Sequence, residues 1–205
     1  MNAHRSSPER YDRAYFDRWY RDPKTRVKST AAIRRKAALA LSVAEYYLER
    51  PVRTVLDVGC GEGNWFPALR SLRKGLRYTG VDSSRYAVER YGNSRNIRLG
   101  SFSSLEELRL ADSYDLIVCS DTLFYLDLAE LKLGLSSLAP RTAGVAFLEL
   151  YTAQDSLTGD FPKKGLQTAA YYRSLLRSHG FLSVGSHCYL GPELHGMAME
   201  MEEGK

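Results

Sequence analysis

The sequence predicts an α/β fold: a doubly wound, mostly parallel sheet with helices on both faces. Three observations carry that expectation. Short runs rich in Val, Ile and Leu alternate with helical spans between residues 53 and 150. Strands buried on both faces read as continuous apolar runs, and their alternation with helices is the pattern of a parallel sheet. The first run, RTVLDV (53–58), leads directly into glycines at alternate positions, Gly59, Gly61 and Gly63. The tail changes to strand, short loop, strand, which must be antiparallel because a parallel return needs a long crossover.

The elements follow in order. Residues 1–8 are polar and are expected to be loose. In YDRAYFDRWY (11–20), Tyr11, Tyr15, Phe16, Trp19 and Tyr20 fall on one helical face, and Asp22-Pro23 ends the element. Residues 27–50 form a long helix with the apolar stripe Ile33, Ala37, Ala40, Leu41, Ala44 and Leu48, capped by Ser29 or Thr30, with Pro51 just beyond. After strand 53–58 come a helix (64–73), strand RYTGVD (77–82), a short helix (84–91), strand NIRLG (96–100) and strand SYDLIVCS (113–120). A leucine-striped helix (127–138), strand GVAFLEL (144–150) and a helix (168–179) follow. The tail is read as one long strand FLSVGSHCYL (181–190), a turn GPELHG (191–196) and a last strand MAMEM (197–201). Residues 1–50 are an N-terminal helical segment and candidate lid, and residues 51–205 form the main domain.

Composition narrows the function. The 205 residues carry a formal net charge of +5 and are 44% apolar, which suits one globular domain of ordinary solubility. The basic clusters at 34–36 and at Lys163-Lys164 read as solvated charge, so nucleic acid is not an expected partner. The apolar runs are too short to cross a bilayer, and the polar N-terminus shows no secretion signal. Cys60, Cys119 and Cys188 form no CxxC, and the four histidines have no zinc spacing, so no metal is expected and a reducing cytoplasm is the default location.

The glycine run raises the chemical question. A strand end, a tight turn and a helix N-terminus make a cofactor cradle in open α/β sheets, and glycine lets a ligand approach the backbone. GxGxxG, the dinucleotide pattern, needs its third glycine one place later, and no Gly-Lys-Ser/Thr follows for a phosphate loop. Asp82 ends the second strand 23 residues after Gly59, where a carboxylate can accept both hydroxyls of a ribose. That step fits NAD and S-adenosylmethionine alike. A sulfonium nucleoside has no phosphate and suits a loop that carries Glu62.

VLDVGCGEG followed by GVDSS resembles the first two motifs of the class I S-adenosylmethionine-dependent methyltransferases, small-molecule type. The resemblance covers roughly residues 53–201. It implies a seven-stranded Rossmann-like sheet in the order 3-2-1-4-5-7-6 with strand 7 antiparallel, and S-adenosyl-L-methionine as cofactor with S-adenosyl-L-homocysteine as product. It implies that Asp57 organises the loop and that Gly59, Cys60 and Gly61 lie beside the methionine part. By the same resemblance Asp82 takes the ribose hydroxyls, with Ser83 and Ser84 near the adenosine. Many members place an acid after the third strand for the adenine amine; this chain has Ser101 and Phe102 there. After the fourth strand, Cys119, Ser120 and Asp121 should face the sulfonium.

The acceptor should sit beyond the carboxyl ends of the strands. Asp121 either caps the following helix or acts as a base or orienting group. Tyr125 stands where many small-molecule members have histidine, and either lines a pocket or hydrogen-bonds the acceptor. Tyr151 opens a second segment (151–167) that reaches the site. Tyr11, Tyr15 and Trp19 either pack on the core or close as a lid, with Arg26 beyond them able to meet a carboxylate. His179 and His195 read as structural. The expected activity is methyl transfer to a nitrogen or oxygen of a small molecule by a monomer or homodimer. RNA or protein methylation is the alternative, although no Asn/Asp-Pro-Pro-Tyr run follows the fourth strand.

Overall fold

The computed structural model describes residues 11–26, 29–155 and 165–199. Seven strands form one sheet: β1 (Thr54–Val58), β2 (Arg77–Asp82), β3 (Ile97–Leu99), β4 (Tyr114–Cys119), β5 (Thr142–Leu148), β6 (Leu182–Gly185) and β7 (Cys188–Leu190). Their order is β3-β2-β1-β4-β5-β7-β6. The first five run parallel, and β7 is antiparallel to both β5 and β6. Sheet, order and antiparallel strand are those the sequence led us to expect.

The helices are α1 (Arg13–Phe16), which runs into a π-helical turn at Asp17–Arg21, then α2 (Thr30–Leu48), α3 (Trp65–Leu72), α4 (Arg85–Arg95), α5 (Leu128–Leu138) and α6 (Ala169–Ser178). Short polar residues start them by accepting from an orphan backbone N–H. Ser29 does so for α2, Ser84 for α4, Asp127 for α5 and Thr168 for α6. Two apolar cores result, one on each side of the sheet. Ala37, Leu41 and Ala44 of α2 and Leu69 of α3 pack with Val55, Leu116 and Phe147. Leu131 and Leu135 of α5 and Leu176 of α6 pack with Leu56, Ile117 and Leu148 on the opposite face. No helix of the described residues is long and apolar enough to cross a membrane.

The tail corrects the sequence reading. FLSVGSHCYL is not one strand but both arms of the hairpin, β6 and β7, turning at Ser186 and His187. Those two residues have φ of 49° and 64°, the left-handed pair that a tight hairpin turn requires. Apolar residues recur at Leu182, Val184, Cys188 and Leu190 with Ser186 in the same register, and Ser-His lacks the Asn-Gly signature, so the sequence hides the turn. The expected turn at 191–196 is instead a 3₁₀ helix, Pro192–Met197. Residues 198–199 are not a strand, and the rest of 197–201 lies outside the described residues. The same holds for residues 1–8 and for Lys163-Lys164.

Asp115 fixes how β4 meets β1. Its Oδ2 accepts from the Arg53 and Thr54 backbone N–H groups at 2.6 and 3.1 Å, its Oδ1 accepts from Arg50 at 2.7 Å, and its own N–H donates to Thr54 Oγ1 at 2.9 Å. Burial alone would raise this carboxyl, but the Arg50 guanidinium and the two backbone donors bring it below its ordinary value. The stabilisation is therefore present at neutral pH and is lost as pH falls below the ordinary carboxylate range. We expect Asp115→Ala to lower unfolding free energy by about 3 kcal/mol at pH 7, since it strands buried donors. Urea denaturation would measure this, and a loss below about 1 kcal/mol would mean that water replaces the carboxylate.

Candidate active site

The three glycines form the turn between β1 and α3 with φ of 72°, 54° and 73° at Gly59, Gly61 and Gly63, all left-handed. Space matters as much as conformation. A Cβ on Gly59 would lie 2.2 Å from the Thr122 side chain, and one on Gly61 would lie 2.7 Å from the Tyr20 hydroxyl. The loop is tied to β2, because Val81 C=O accepts from the N–H groups of Gly59 and Cys60 at 2.8 and 3.2 Å. Thr122 Oγ1 donates to Gly59 C=O at 3.1 Å, joining the loop after β4 to the glycine turn.

Asp82 sits at the carboxyl end of β2, buried. Its Oδ2 accepts from Gly61 N–H at 2.6 Å and its Oδ1 from Ser84 N–H at 2.8 Å. Burial raises its pKa, and the two backbone donors oppose that rise. Asp57 ends β1 one strand away and accepts from the Tyr78 hydroxyl at 2.7 Å. Burial pushes the Asp57 carboxyl up to about 7; the Tyr78 bond lowers it and nearby Asp82 raises it further. Burial likewise raises the Cys60 and Cys119 thiols well above their ordinary value, so both stay protonated and inert as nucleophiles.

Two cavities open at the carboxyl ends of the strands. One, of about 320 Å³, is lined by Asp57, Gly59, Cys60, Trp65, Ser120 and Asp121 below and by Trp19, Tyr20 and Arg21 above. The other runs past Gly61, Asp82, Ser83, Ser101 and Phe102 to Thr122 and Tyr125, under Tyr11, Tyr15 and Phe16. Tyr20, Gly59 and Asp121 line both. Phe102 reaches its wall because α5 offers Gly134 there; a Cβ at that position would lie 1.9 Å from the Phe102 ring.

The N-terminal aromatics therefore lie over the cleft. Phe16 stacks on Tyr86 at 5.6 Å, Tyr15 and Tyr125 hydroxyls are 3.4 Å apart, and the Ser84 hydroxyl donates to Tyr11 C=O. Arg21 donates to the buried Glu62 carboxylate of the glycine loop. Glu62 thus turns toward the covering segment. Burial, then Asp82, raises the Tyr20 hydroxyl far above its ordinary value.

A polar cluster stands where β4 and β5 end. Lys36 of α2 donates to Glu149 Oε2 at 2.7 Å, as does the Ser120 hydroxyl at 2.7 Å. The Tyr151 hydroxyl donates to Glu149 Oε1 at 3.1 Å and to Asp121 Oδ1 at 3.5 Å. Asp121 lies 3.9 Å from Lys36 Nζ and takes a 3.2 Å bond from Ser120. Burial and then the Glu149 and Asp121 carboxylates push the Tyr151 hydroxyl far up, so it stays a donor.

The structure brings many of the residues singled out in the sequence to these two cavities. Asp57, Gly59, Cys60, Gly61, Asp82, Ser83, Ser101, Phe102, Asp121, Tyr125, Tyr11, Tyr15 and Trp19 all line the two cavities. Asp121 is not the cap of α5, a role that Asp127 fills. Cys119 is fully buried in the core behind the cleft, and Arg26 is exposed and outside both cavities, where Arg21 stands instead. His179 and His195 bond to the carbonyls of Leu175 and Gly180 at 2.8 and 3.0 Å, away from the cleft. Missed were Arg21, Lys36, Thr122 and Glu149. Only Arg21 carried a signal, its place one residue after Tyr20 on the aromatic segment. Among the described residues no group of His, Cys, Asp and Glu is arranged to hold a metal ion.

Comparisons with known proteins meet this geometry. Among solved structures, the chain is similar to the plantazolicin methyltransferase BamL in complex with SAH, at a TM-score of 0.62 and 17% identity, over 84% of this chain and 73% of that one. It is similar to the 1,6-didemethyltoxoflavin-N1-methyltransferase of Burkholderia thailandensis, at a TM-score of 0.57 and 20% identity over 93% and 90% of the two chains. It is also similar to the magnesium protoporphyrin IX methyltransferase of Synechocystis PCC 6803, at a TM-score of 0.57 and 21% identity over 89% and 94%. At such identities these likenesses speak for the fold. No curated protein matches the sequence. A family model described as a methyltransferase domain matches residues 29–190, from α2 through β7, and the chain belongs to that family.

Proposed function

We propose that the chain binds S-adenosyl-L-methionine and transfers its methyl group to a nitrogen or oxygen of a small molecule, releasing S-adenosyl-L-homocysteine. The observation that carries this reading is the junction of the glycine turn with Asp82, whose carboxylate faces a cavity beside a backbone too bare to clash with a ligand. The three structural neighbours named above are methyltransferases described with S-adenosylhomocysteine, one of them also with a desmethylPZN analog and one with 1,6-didemethyltoxoflavin. When bound, the cofactor supplies a methyl carbon on positive sulfur; the acceptor's lone pair takes the carbon, and sulfur keeps the electron pair.

This chain's residues then have the following parts. Asp82 accepts from the ribose hydroxyls. Ser83, Ser101 and Phe102 enclose the adenine. Gly59, Cys60 and Gly61 border the methionine portion, and Asp57 faces its ammonium group. Cys119 packs behind the site. Asp121 and Tyr125 face the acceptor, and Tyr151 holds Asp121 and Glu149 in place. Residues 51–205 are the catalytic domain, and residues 1–50 precede it, of which 11–26 form a lid. Closing that lid excludes water and holds the acceptor in line, which is the main demand of methyl transfer. Tyr20 must shift or reshape its contact with Gly61 as the cofactor seats.

Calorimetric titration with S-adenosylmethionine, S-adenosylhomocysteine and NAD, beside Asp82→Ala, tests the reading. The first two should bind in the micromolar range and the variant should lose both, with a thermal melt confirming that it remains folded. Binding of NAD alone would contradict the proposal.

Asp57 gives a pH signature. Its carboxyl is neutral in half the molecules near pH 7. Only the ionised form attracts an ammonium group, so cofactor affinity should rise about eight-fold from pH 6 to pH 7.5, before the ligand's own amine deprotonates. Asp57→Asn should bind weakly with a flat profile. Without cofactor the sign reverses for stability: the folded chain holds this proton more tightly than the unfolded one, so this group costs stability as pH rises from about 4 through 7. Affinity independent of pH in the parent protein would remove Asp57 from the ammonium site.

A further inference from the structure

We propose that the methyl acceptor is an amine that arrives as an ammonium ion, and that Asp121 recognises it. The proposal rests on the methyltransferase reading of the cleft and names the substrate class for it.

The charge of the lining comes first. Among the described residues that line the two cavities, the acids are Asp57, Glu62, Asp82, Asp121 and Glu130, and the cation is Arg21. Arg21 is itself engaged by Glu62. Low-dielectric walls lined with one sign of charge concentrate ligands of the other sign. With Asp57 and Asp82 given to the cofactor and Glu62 to Arg21, the acids left for the acceptor are Asp121, which also lies 3.9 Å from Lys36 Nζ, and Glu130, and an anionic acceptor would meet both. Aromatic rings complete the surface, with Trp19, Tyr20 and Trp65 around the larger cavity, and the faces of such rings attract cations.

Position singles out Asp121. Asp57 and Asp82 end β1 and β2, on the side of the sheet where the glycine turn lies. Asp121 follows β4 and lines both cavities, and its neighbours Glu149 and Tyr151 follow β5, one strand farther from that turn. Its backbone is left-handed, with φ of 60°, a conformation that costs a non-glycine residue about 1 kcal/mol or more. No helix cap accounts for that cost, since Asp127 starts α5. Lys36, Ser120 and Tyr151 each make a shorter contact with Glu149 than with Asp121, so Glu149 anchors the cluster, and Asp121 is the carboxylate of the two that lines both cavities.

The chemistry agrees. A hydroxyl acceptor calls for a general base at its oxygen; Asp57, whose carboxyl burial pushes up to about 7, is given to the cofactor's ammonium in the reading above, and among the described residues no histidine lines either cavity. An amine needs only to release one proton to water, after which its own lone pair is the nucleophile.

The test uses three probes of matched shape: 2-phenylethylamine, 2-phenylethanol and phenylacetate. Each is titrated by ligand-observed NMR into the full chain saturated with S-adenosylhomocysteine, for the parent protein and for Asp121→Asn. Asparagine tolerates left-handed backbone, so the variant should fold. We expect the amine to bind at least about ten-fold tighter than the alcohol, the carboxylate to bind weakest, and the amine preference to shrink to about three-fold or less in Asp121→Asn. Equal binding of amine and alcohol, preference for the carboxylate, an unchanged amine preference in the variant, or no binding by any probe would overturn the proposal. Failure of S-adenosylhomocysteine itself to bind would overturn the underlying methyltransferase reading instead, so the two failures are separable.

Discussion

The carboxylate of Asp82 accepts from two backbone N–H groups, those of Gly61 and Ser84, and the rest of the site depends on that pair of bonds. One bond holds the glycine turn after β1 and the other holds the start of α4 after β2. A buried carboxylate without donors would be costly, so the turn and the strand end constrain each other. Val81 C=O reinforces the junction from the same strand. The parallel pairing of β1 with β2, Asp57 opposite Gly80, brings the two acids to one edge of the sheet. A Cβ at Gly80 would lie 2.8 Å from Cys60 Sγ, so a larger residue there would make the glycine turn or Cys60 shift.

From that junction the cleft is built outward in two directions. Toward the N-terminus, Ser84 both starts α4 and donates to Tyr11 C=O, so the cap that begins a helix also docks the covering segment. Glu62 does the same from the turn through Arg21. The π-helical turn at Asp17–Arg21 lies between these two attachments and carries Trp19 and Tyr20 over the cavities. Widened turns of this kind recur at functional sites because they reorient side chains that a regular helix would direct elsewhere. Toward β5, Lys36, Ser120 and Tyr151 hold the Glu149 carboxylate beside Asp121. Covering segment and polar cluster meet at the larger cavity, which Trp19, Tyr20 and Arg21 line together with Ser120 and Asp121.

What the sequence revealed depended on distance along the chain. The glycine turn was legible because its signal is local, with alternate glycines at a strand end, and Asp82 because the next strand must end beside it. The sheet order could be expected once those motifs suggested a family. The Lys36–Glu149 contact joins positions 113 apart, and the Arg21–Glu62 contact joins positions 41 apart. Nothing in the sequence pairs these residues with each other, since only the packing of α2 against β5 and of the N-terminal turn against the glycine loop makes them meet. The hairpin was displaced for a different reason. Its turn uses Ser186 and His187 in left-handed conformations that neither residue type advertises, inside an apolar alternation that reads as one strand.

The most direct test of this account is a crystal structure of the chain with S-adenosylhomocysteine. The account predicts both ribose hydroxyls within hydrogen-bonding distance of Asp82, the amino-acid portion against Gly59–Gly61 with its ammonium toward Asp57, and Tyr20 moved from its contact with Gly61. A ribose held elsewhere, with Asp82 still bound only to Gly61 and Ser84, would contradict it.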